Sequence, residues 1–286
     1  MLDIKSFFLK FAVLLVVFLL SFTSSVQAIN SKEDQQNYGK KLLVKKDMGL
    51  FGPVRLVKAF LANNNTDYVT FTFREDGSLA LIENTPYAPR TFDSKERPIK
   101  EQIIDSTGTK LDAYSNYDED KQRFTTKTTA GVVLRVGKMN KKGDIIEVEN
   151  YDVNGDYVGK TIYEYNTEGL VIRTNNYTYN NILMSKREFG YDSNGYNIER
   201  TFYKPTTMPP TELQLDTKDT KRYDSHGRLI ESETTYSEKT HTINKRFYTY
   251  QEIDNYGNWT RSQEKVPLLS GEERINIRIR QIEYFE

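Results

Sequence analysis

The sequence contains no cysteine, only two histidines and a single tryptophan. The absence of cysteine excludes a disulfide framework and lipid attachment through a thiol. An exported protein without disulfides is held together by its core or by an extended hydrogen-bonded sheet. Neither His226 nor His241 has a second histidine or a cysteine at metal-ligand spacing. The lack of a second ligand near either histidine argues against a zinc site and against a histidine-activated nucleophile.

Catalytic and cofactor motifs are also missing. The chain has no Gly-x-Ser-x-Gly, no Walker loop and no dinucleotide-binding glycine pattern, so the sequence predicts a protein that has no cofactor and is not an enzyme. Its 40 basic residues are balanced by 40 acidic ones. That balance argues against nucleic acid or an anionic membrane as the partner, because either one selects a clustered positive excess.

Long hydrophobic runs are absent except at the N-terminus. There, an apolar run over residues 11–20 precedes Val26-Gln27-Ala28, which fits the small-x-small rule for signal-peptidase cleavage. We therefore predict a signal peptide over residues 1–28 and a mature chain that begins near Ile29. The alternative is a retained anchor, but the run is shorter than the roughly 20 residues that span a bilayer. The predicted location is the periplasm or the outside of a bacterial cell, without stable membrane insertion after cleavage.

The rest of the chain divides into a helical segment over residues 29–46 and a β-rich domain over residues 47–286. Ser31 is a favourable helix N-cap, and Lys45 and Lys46 stand where a helix C-terminus favours cations. From Val54 onward, runs of β-branched and aromatic residues are separated by turn residues, a pattern typical of strands. The prediction is an all-β fold with one short N-terminal helix.

One short pattern recurs through the β-rich domain: an aromatic residue, Asp or Asn, two variable residues and glycine. Clear copies begin at Tyr151, Tyr165, Tyr191 and Tyr223, and a last copy reads Asp254-Asn255-Tyr256-Gly257-Asn258-Trp259-Thr260. Degenerate copies without the glycine occur at Phe92 and at Tyr179-Asn180-Asn181. The spacing of 12 to 14 residues between copies corresponds to one strand and one tight turn.

Hairpin chemistry explains why this unit repeats. The Asp or Asn side chain accepts hydrogen bonds from backbone amides that follow it, and the glycine adopts a left-handed conformation without steric cost. Successive units then form an elongated antiparallel meander with two edges, and the pattern is compatible both with an open sheet and with one that curls into a shell. Near the C-terminus, Ile275, Ile277 and Ile279 alternate with polar residues, which predicts a strand with one buried face.

The Tyr-Asp-x-x-Gly units resemble the YD repeat of the RHS family. The Gly257-Asn258-Trp259-Thr260 ending and the segment over residues 47–58 resemble parts of small exported bacterial proteins that carry such repeats. This resemblance covers most of residues 47–286 and implies a β-rich extended sheet or shell built from YD-type hairpins. Large RHS proteins enclose a toxin in such a shell, whereas we expect this chain to be too short to close one. The family supplies no catalytic residues.

Two groups of residues are candidates for function. Tyr256 and Trp259 form an aromatic pair that could bind a protein or a sugar ring, although Trp259 could instead close the apolar face of the sheet. Glu147 with Glu149, and Glu231 with Glu233, would each place two carboxylates on one strand face, as a glycosidase requires. The Asp152 segment has the wrong glycine position and the wrong twelfth residue for an EF-hand calcium loop, so we interpret it as a turn.

The sequence therefore predicts an exported, non-enzymatic scaffold or binding protein. It would present an extended tyrosine-rich sheet to a protein or glycan partner of the cell envelope. The alternative is an envelope polysaccharide hydrolase that uses paired carboxylates. We expect function where the repeats lose their pattern: residues 112–129, the proline-bearing insertion over residues 204–219, and the end of the sheet at Trp259.

Overall fold

The computed structural model describes residues 48–62, 64–83, 89–104, 109–205, 207, 212–236, 243–268 and 270–286. The predicted signal peptide and the predicted helix over residues 29–46 lie outside these residues. The described chain contains eighteen β-strands and no α-helix. In chain order they are β1 Val54–Leu61, β2 Asn64–Phe73, β3 Leu79–Glu83, β4 Arg90–Phe92, β5 Pro98–Ile104, β6 Lys110–Asp118, β7 Arg123–Thr128, β8 Val133–Met139, β9 Ile145–Tyr151, β10 Tyr157–Tyr165, β11 Val171–Thr178, β12 Leu183–Tyr191, β13 Asn197–Pro205, β14 Leu213–Tyr223, β15 Leu229–Tyr236, β16 Ile243–Ile253, β17 Trp259–Pro267 and β18 Glu273–Tyr284.

The strands form a closed antiparallel barrel. Each strand pairs with the next one in the chain, and β18 returns to pair with β1 from Val54↔Tyr284 to Leu61↔Arg278. The expectation that the chain is too short to close was therefore wrong, and the elongated meander leaves no free edge among the described strands. Twist accumulates from strand to strand, so a meander of sufficient length brings its two edges together, where pairing satisfies their backbone groups.

Strand alternation gives the barrel an inner and an outer face. Val148 and Tyr163 are buried on the inner face, whereas Glu147 and Glu149 flank Val148 and point outward. One apolar cluster lies on the inner face of β7 to β11. Its buried members are Phe124, Met139, Ile145, Val148, Tyr163 and Val171.

The C-terminal strand follows the predicted alternation and buries its polar side. Arg280 on the inner face is 4% exposed, whereas Ile275 on the outer face is 52% exposed. On the inner face of β18, Ile282 pairs with Val57 of β1 and Arg280 pairs with Ala59 of β1. The two faces of this strand are therefore a polar inner one and an isoleucine-bearing outer one.

The Asp-x-x-Gly units form the tight turns that the sequence predicts. At Asp152 the backbone amide donates to the carbonyl of Asp156 at 2.9 Å, and the amide of Gly155 donates to the carbonyl of Asp152 at 3.1 Å. The Oδ1 atom of Asp152 accepts from the amides of Asn154 and Asp156, both at 2.9 Å. Gly155 has φ of 88°, which explains the glycine, because other L-residues adopt this conformation at a steric cost.

Two turns show that glycine and aspartate are replaceable. Glu96 occupies the glycine position of the turn after Phe92 with φ of 59°, and Asn181 occupies it after β11 with φ of 61°. In the second turn Thr178 takes the aspartate position, and its hydroxyl accepts from the amide of Ile182 at 3.2 Å. The predicted alignment of Tyr179-Asn180-Asn181 was therefore two residues out of register, because a threonine hydroxyl can accept the bond that an aspartate accepts.

Inward tyrosines tie neighbouring hairpins together. The hydroxyl of Tyr165 donates to the carbonyl of Ile145 at 2.6 Å, and that of Tyr191 donates to the carbonyl of Val171 at 2.8 Å. Each bond joins the end of one strand to the start of the strand before it. Equivalent bonds run from Tyr117 to Pro98, from Tyr223 to Asn197 and from Tyr250 to Leu229. The repeated tyrosine is therefore a structural part of the hairpin.

Replacing Tyr191 with phenylalanine should lower the free energy of unfolding by about 1 kcal/mol, because the hydrogen bond to Val171 is lost. Urea unfolding at neutral pH measures the change. Tyr179→Phe is the control, because that ring is 68% exposed at a turn and its replacement should have almost no effect. Equal stability of the two variants would contradict a structural role for the Tyr191 hydroxyl.

Candidate functional site

The two ends of the β-rich domain meet where β17 begins. The buried side chain of Asn258 accepts a hydrogen bond from the amide of Phe51 and donates to its carbonyl at 2.9 Å. Asn258 also donates to the hydroxyl of Tyr284 at 2.7 Å. Tyr284 in turn donates to the carboxylate of Asp254. We call residues 48–53 together with Asp254, Tyr256, Asn258, Trp259, Arg280 and Tyr284 the clasp.

Trp259 is buried inside the clasp. The guanidinium of Arg280 lies 3.6 Å from the centre of its ring, and the ring of Tyr250 lies 5.6 Å away. Arg280 also donates to the carbonyl of Met48 at 2.8 Å. Burial lowers the pKa of Arg280 to about 9, so the group is still a cation at neutral pH and can stack on the indole.

Tyr256, the other predicted binding residue, is 48% exposed. Its ring lies 4.4 Å from that of Tyr284 and covers Gly52, where a Cβ atom would come within 2.4 Å of the tyrosine ring. Tyr256 therefore lies on the surface of the clasp, whereas Trp259 is buried within the clasp and is 8% exposed. Partner binding by these two residues stays a prediction.

A buried ionic cluster lies next to the clasp. Glu264 is 0% exposed and accepts from Arg278 at 3.0 Å and from Asn276 at 2.9 Å, with Arg246 at 3.8 Å. Burial alone would raise the pKa of Glu264, but the two arginines and Asn276 lower it below its ordinary value. A carboxylate held ionised by surrounding cations stabilises the fold and is not suited to act as a general acid.

The predicted carboxylate pairs are neutralised by cations on neighbouring strands. Glu147 is paired with Lys138, and Glu231 is paired with both Lys245 and Arg222. The hydrogen bonds from Lys245 and Arg222 lower the pKa of Glu231. A glycosidase needs one carboxyl with a raised pKa, and the lowered pKa of Glu231 does not meet this requirement.

The described residues were compared with the ligand groups that bind metal ions. Among them there is no group of three His, Asp or Glu side chains that could hold a metal ion. Asp152 uses its carboxylate to close a turn, as expected, and His226 lies in an exposed turn beside Ser225. His241 lies outside the described residues. The part of the chain that is described contains no helix long and apolar enough to cross a membrane.

A depression of about 400 Å³ lies on the outer face of β12, β13 and β14. Its walls are formed by Glu188, Phe189, Gly190, Glu199, Thr201, Tyr203, Leu215 and Lys218. Most of these residues alternate with inward-facing ones such as Arg187, which is 6% exposed. Two of the lining residues, Leu215 and Lys218, belong to the proline-bearing insertion over residues 204–219.

Hydrogen bonds fix the polar groups of this depression. The hydroxyl of Tyr203 donates to Glu188 at 3.0 Å, and the ammonium of Lys186 lies 4.0 Å from the Tyr203 ring centre. Burial alone would raise the pKa of Glu188, but Tyr203 and Lys186 lower it. Lys218 pairs with Glu199 at 2.9 Å. The depression thus presents an aromatic ring, two carboxylates and one ammonium group.

The insertion over residues 204–219, which the sequence marked as a place for function, contains Leu215 and Lys218 of the depression, whereas Glu188 and Tyr203 lie outside it and were not predicted. Glu188, Tyr203 and Lys218 come from three strands, so their proximity depends on the register Glu188↔Thr201↔Lys218. Residues 112–129, the other predicted departure from the pattern, form the regular hairpin of β6 and β7. The available signal for the depression was the unusual length between the turns at Gly195 and Gly227.

No protein-family model matches the chain, and no curated protein matches it. Among solved structures, a porin-like protein from Bacteroides uniformis has 13% identity and a TM-score of 0.48, over 82% of this chain and 98% of that one. A porin-like protein from Bacteroides vulgatus has 10% identity and a TM-score of 0.39, over 81% and 98%. A LolA superfamily protein from Nitrosomonas europaea has 10% identity and a TM-score of 0.22, over 87% and 94%. All three TM-scores are below 0.5, so neither the fold described above nor the function proposed below rests on them.

Asn258→Ala should open the clasp and lower the free energy of unfolding by about 2 kcal/mol, because the backbone amide and carbonyl of Phe51 lose their partner and the Tyr284 hydroxyl keeps only its bond to Asp254. The single tryptophan reports the change through its fluorescence during urea unfolding. Asn255→Ala, at an exposed position of the same turn, should change stability by less than about 0.5 kcal/mol. A similar loss in both variants would show that the turn, rather than the Asn258 contacts, determines stability.

Alkaline pH should weaken the clasp through Tyr284. Burial and the hydrogen bond to Asp254 raise the pKa of Tyr284 to about 12, compared with about 10 in an unfolded chain. The stabilisation is therefore complete below pH 10 and is lost as the pH rises towards 12. Burial also raises the pKa of Tyr165 and of Tyr250, with the same sign.

The lowered pKa of Arg280 acts in the opposite sense at alkaline pH, so the test is a comparison of variants. Between pH 10 and pH 12 the free energy of unfolding should fall less steeply, or rise more steeply, in Tyr284→Phe than in the unmodified protein. Urea titrations at several alkaline pH values measure both slopes. Tyr179→Phe should retain the slope of the unmodified protein. Identical slopes in all three proteins would exclude Tyr284 as a source of the pH dependence.

Proposed function

We propose that this chain is a non-enzymatic binding protein of the bacterial envelope that recognises a glycan in the depression on β12, β13 and β14. The observation that carries the proposal is the depression itself. Its volume of about 400 Å³ lies within the range of roughly 300–1,000 Å³ that is usual for ligand sites. The export and envelope location follow from the predicted signal peptide.

The chemistry of the lining suits a sugar. A pyranose presents hydroxyl groups around its edge and apolar C–H groups on its faces, so a site for it combines hydrogen-bonding side chains with apolar or aromatic ones. Glu188, Glu199 and Thr201 supply acceptors, and Lys218 supplies a donor. Leu215, which is 39% exposed, supplies an apolar surface, and Tyr203 supplies the aromatic ring.

A binding role fits the state of these groups better than a hydrolytic one. Tyr203 and Lys186 hold Glu188 ionised, and Lys218 is paired with Glu199. Glycoside hydrolysis requires one protonated carboxylic acid near neutral pH. Ionised carboxylates fixed by hydrogen bonds serve instead as acceptors for sugar hydroxyls. Membership of the RHS family stays a prediction, and this proposal does not depend on it.

Glycan-array binding followed by titration calorimetry with the best ligand tests the proposal. Tyr203→Ala should weaken binding at least about tenfold, because a buried aromatic contact contributes on the order of 1–2 kcal/mol. Tyr114→Ala is the matched control, because Tyr114 is also an outer-face tyrosine beside a lysine and is 45% exposed. The control should bind the glycan as the unmodified protein does.

Tyr256→Ala in the same assay tests the other predicted binding residue. If Tyr256→Ala weakens glycan binding and Tyr203→Ala does not, recognition occurs at the clasp and the depression is not the site. If no glycan binds, or if the protein cleaves a polysaccharide, the proposed function is wrong.

A further inference from the structure

A row of tyrosines leads away from the depression over the outer face of the barrel. Tyr151, Tyr177 and Tyr203 follow one another at intervals of 26 residues and lie on β9, β11 and β13. Each of them is partly exposed, and Tyr203 belongs to the depression itself. We call these three residues the tyrosine stripe.

Two members of the stripe make the same contact with a lysine on the neighbouring strand. Tyr177 pairs with Lys160, whose ammonium lies 5.7 Å from the centre of the tyrosine ring. Tyr203 pairs with Lys186 in the same way, at 4.0 Å. Each lysine stands between buried, inward-facing residues of its strand, so the lysines and the tyrosines opposite them point outward. The arrangement on β12 and β13 is thus repeated on β10 and β11.

Tyr151 lies on the same outer face. Its hydroxyl donates to Glu149, which points outward, at 3.1 Å. In the same way the hydroxyl of Tyr203 donates to Glu188 at 3.0 Å. The ring of Tyr157, which is 36% exposed, lies 5.6 Å from that of Tyr151 at an angle of 62°. The far end of the stripe is therefore an aromatic pair beside a carboxylate.

The stripe runs diagonally across the strands. Along β11, Tyr177 lies two residues beyond Asn175, which pairs with Lys186. Along β9, Tyr151 lies two residues beyond the partner of Lys160. Because β9 and β11 run in the same direction, both displacements have the same sense. Neighbouring tyrosines are therefore separated by about 10 Å across the strands and about 7 Å along them, which gives a straight row with a repeat of about 12 Å between backbones.

Charge along the stripe is neutralised by pairing. Arg173 lies between Glu164 and Glu188, at 3.0 Å and 3.1 Å. Lys160 stands opposite Glu149. An uncharged ligand therefore suits this surface better than an acidic polymer, which selects a positive excess.

A surface with a repeat suits a ligand with a repeat. In a β-1,4-linked glycan every second sugar turns the same face to a surface, and the disaccharide unit is comparable in length with the spacing of the stripe. The tyrosine rings can contact the apolar faces of these sugars. The lysines and carboxylates between the rings can bond to the sugar hydroxyls.

We propose that the glycan bound in the depression is part of a longer, uncharged β-1,4-linked chain that lies along the tyrosine stripe. Tyr177 with Lys160 forms a second subsite, and Tyr151 with Tyr157 forms a third. This inference rests on the proposed function, because the stripe begins in the same depression. It adds the class of glycan and the direction in which the chain crosses the strands.

Titration calorimetry with chitin and cellulose oligosaccharides of two and six sugars tests this proposal, because both series are uncharged and β-1,4-linked. In at least one series the six-sugar form should bind at least about tenfold more tightly than the two-sugar form, since it reaches further tyrosines. Tyr177→Ala should weaken binding of the six-sugar form about fivefold and leave the two-sugar form within about twofold. Tyr203→Ala should weaken binding of both forms.

Tyr114→Ala is the control, because Tyr114 makes the same kind of contact with Lys100, at 5.4 Å, away from the stripe. It should leave the affinity for both lengths within about twofold of the unmodified protein. Circular dichroism and retained binding of the two-sugar form show that Tyr177→Ala is folded.

The outcomes separate this inference from the proposed function. If the two lengths bind equally, or if Tyr177→Ala and Tyr114→Ala have the same effect on the six-sugar form, the stripe is not a glycan site although the depression still is. Binding of another glycan in the depression, with neither β-1,4-linked series bound, overturns the inference and leaves the proposed function standing. If no glycan of any kind binds, both are wrong.

Discussion

Pairing between β18 and β1 joins residues more than 200 positions apart, such as Arg55 and Glu283 with a separation of 228. It gives each of the eighteen described strands a partner on both sides, so none presents an unpaired edge to another chain. The clasp reinforces this seam with side chains, since Asn258 bonds to the backbone of Phe51 and Arg280 to that of Met48. Closure requires the whole domain, because the last strand completes the sheet begun by the first.

Closure also explains why charge is tolerated on the inner face. Glu264 is fully buried, yet its oxygens accept from Arg278 and Asn276, and Arg280 stacks on Trp259. Burying an ion is costly unless its partners satisfy it. These partners come from adjacent strands whose register the closed sheet fixes. Because the side chains of a strand alternate, placing Arg278 and Arg280 inside turns the isoleucines of β18 outward.

The sequence predicted those features of the fold that depend on residues close together in the chain. Asp152 and Gly155 form the expected turn because side-chain acceptance and positive φ are local properties. It could not indicate closure, which depends on pairing between β1 and β18. Alternation predicted β18 correctly as a strand, but the identity of its buried side depends on Glu264 of the neighbouring strand. The depression was predicted only in part, because residues 204–219 contain Lys218, whereas Glu188 and Tyr203 join it only through pairing across strands.

The tyrosines, which suggested a binding sheet, divide into two populations. Inward ones such as Tyr165 and Tyr191 donate their hydroxyls to backbone carbonyls and belong to the framework. Outward ones such as Tyr114 and Tyr203 lie beside lysines on the neighbouring strand. Tyrosine abundance is therefore explained largely by hairpin architecture. The recognition that we propose uses instead an outward tyrosine in a depression of the outer face, and Tyr203 is the tyrosine that lines the depression on β12, β13 and β14.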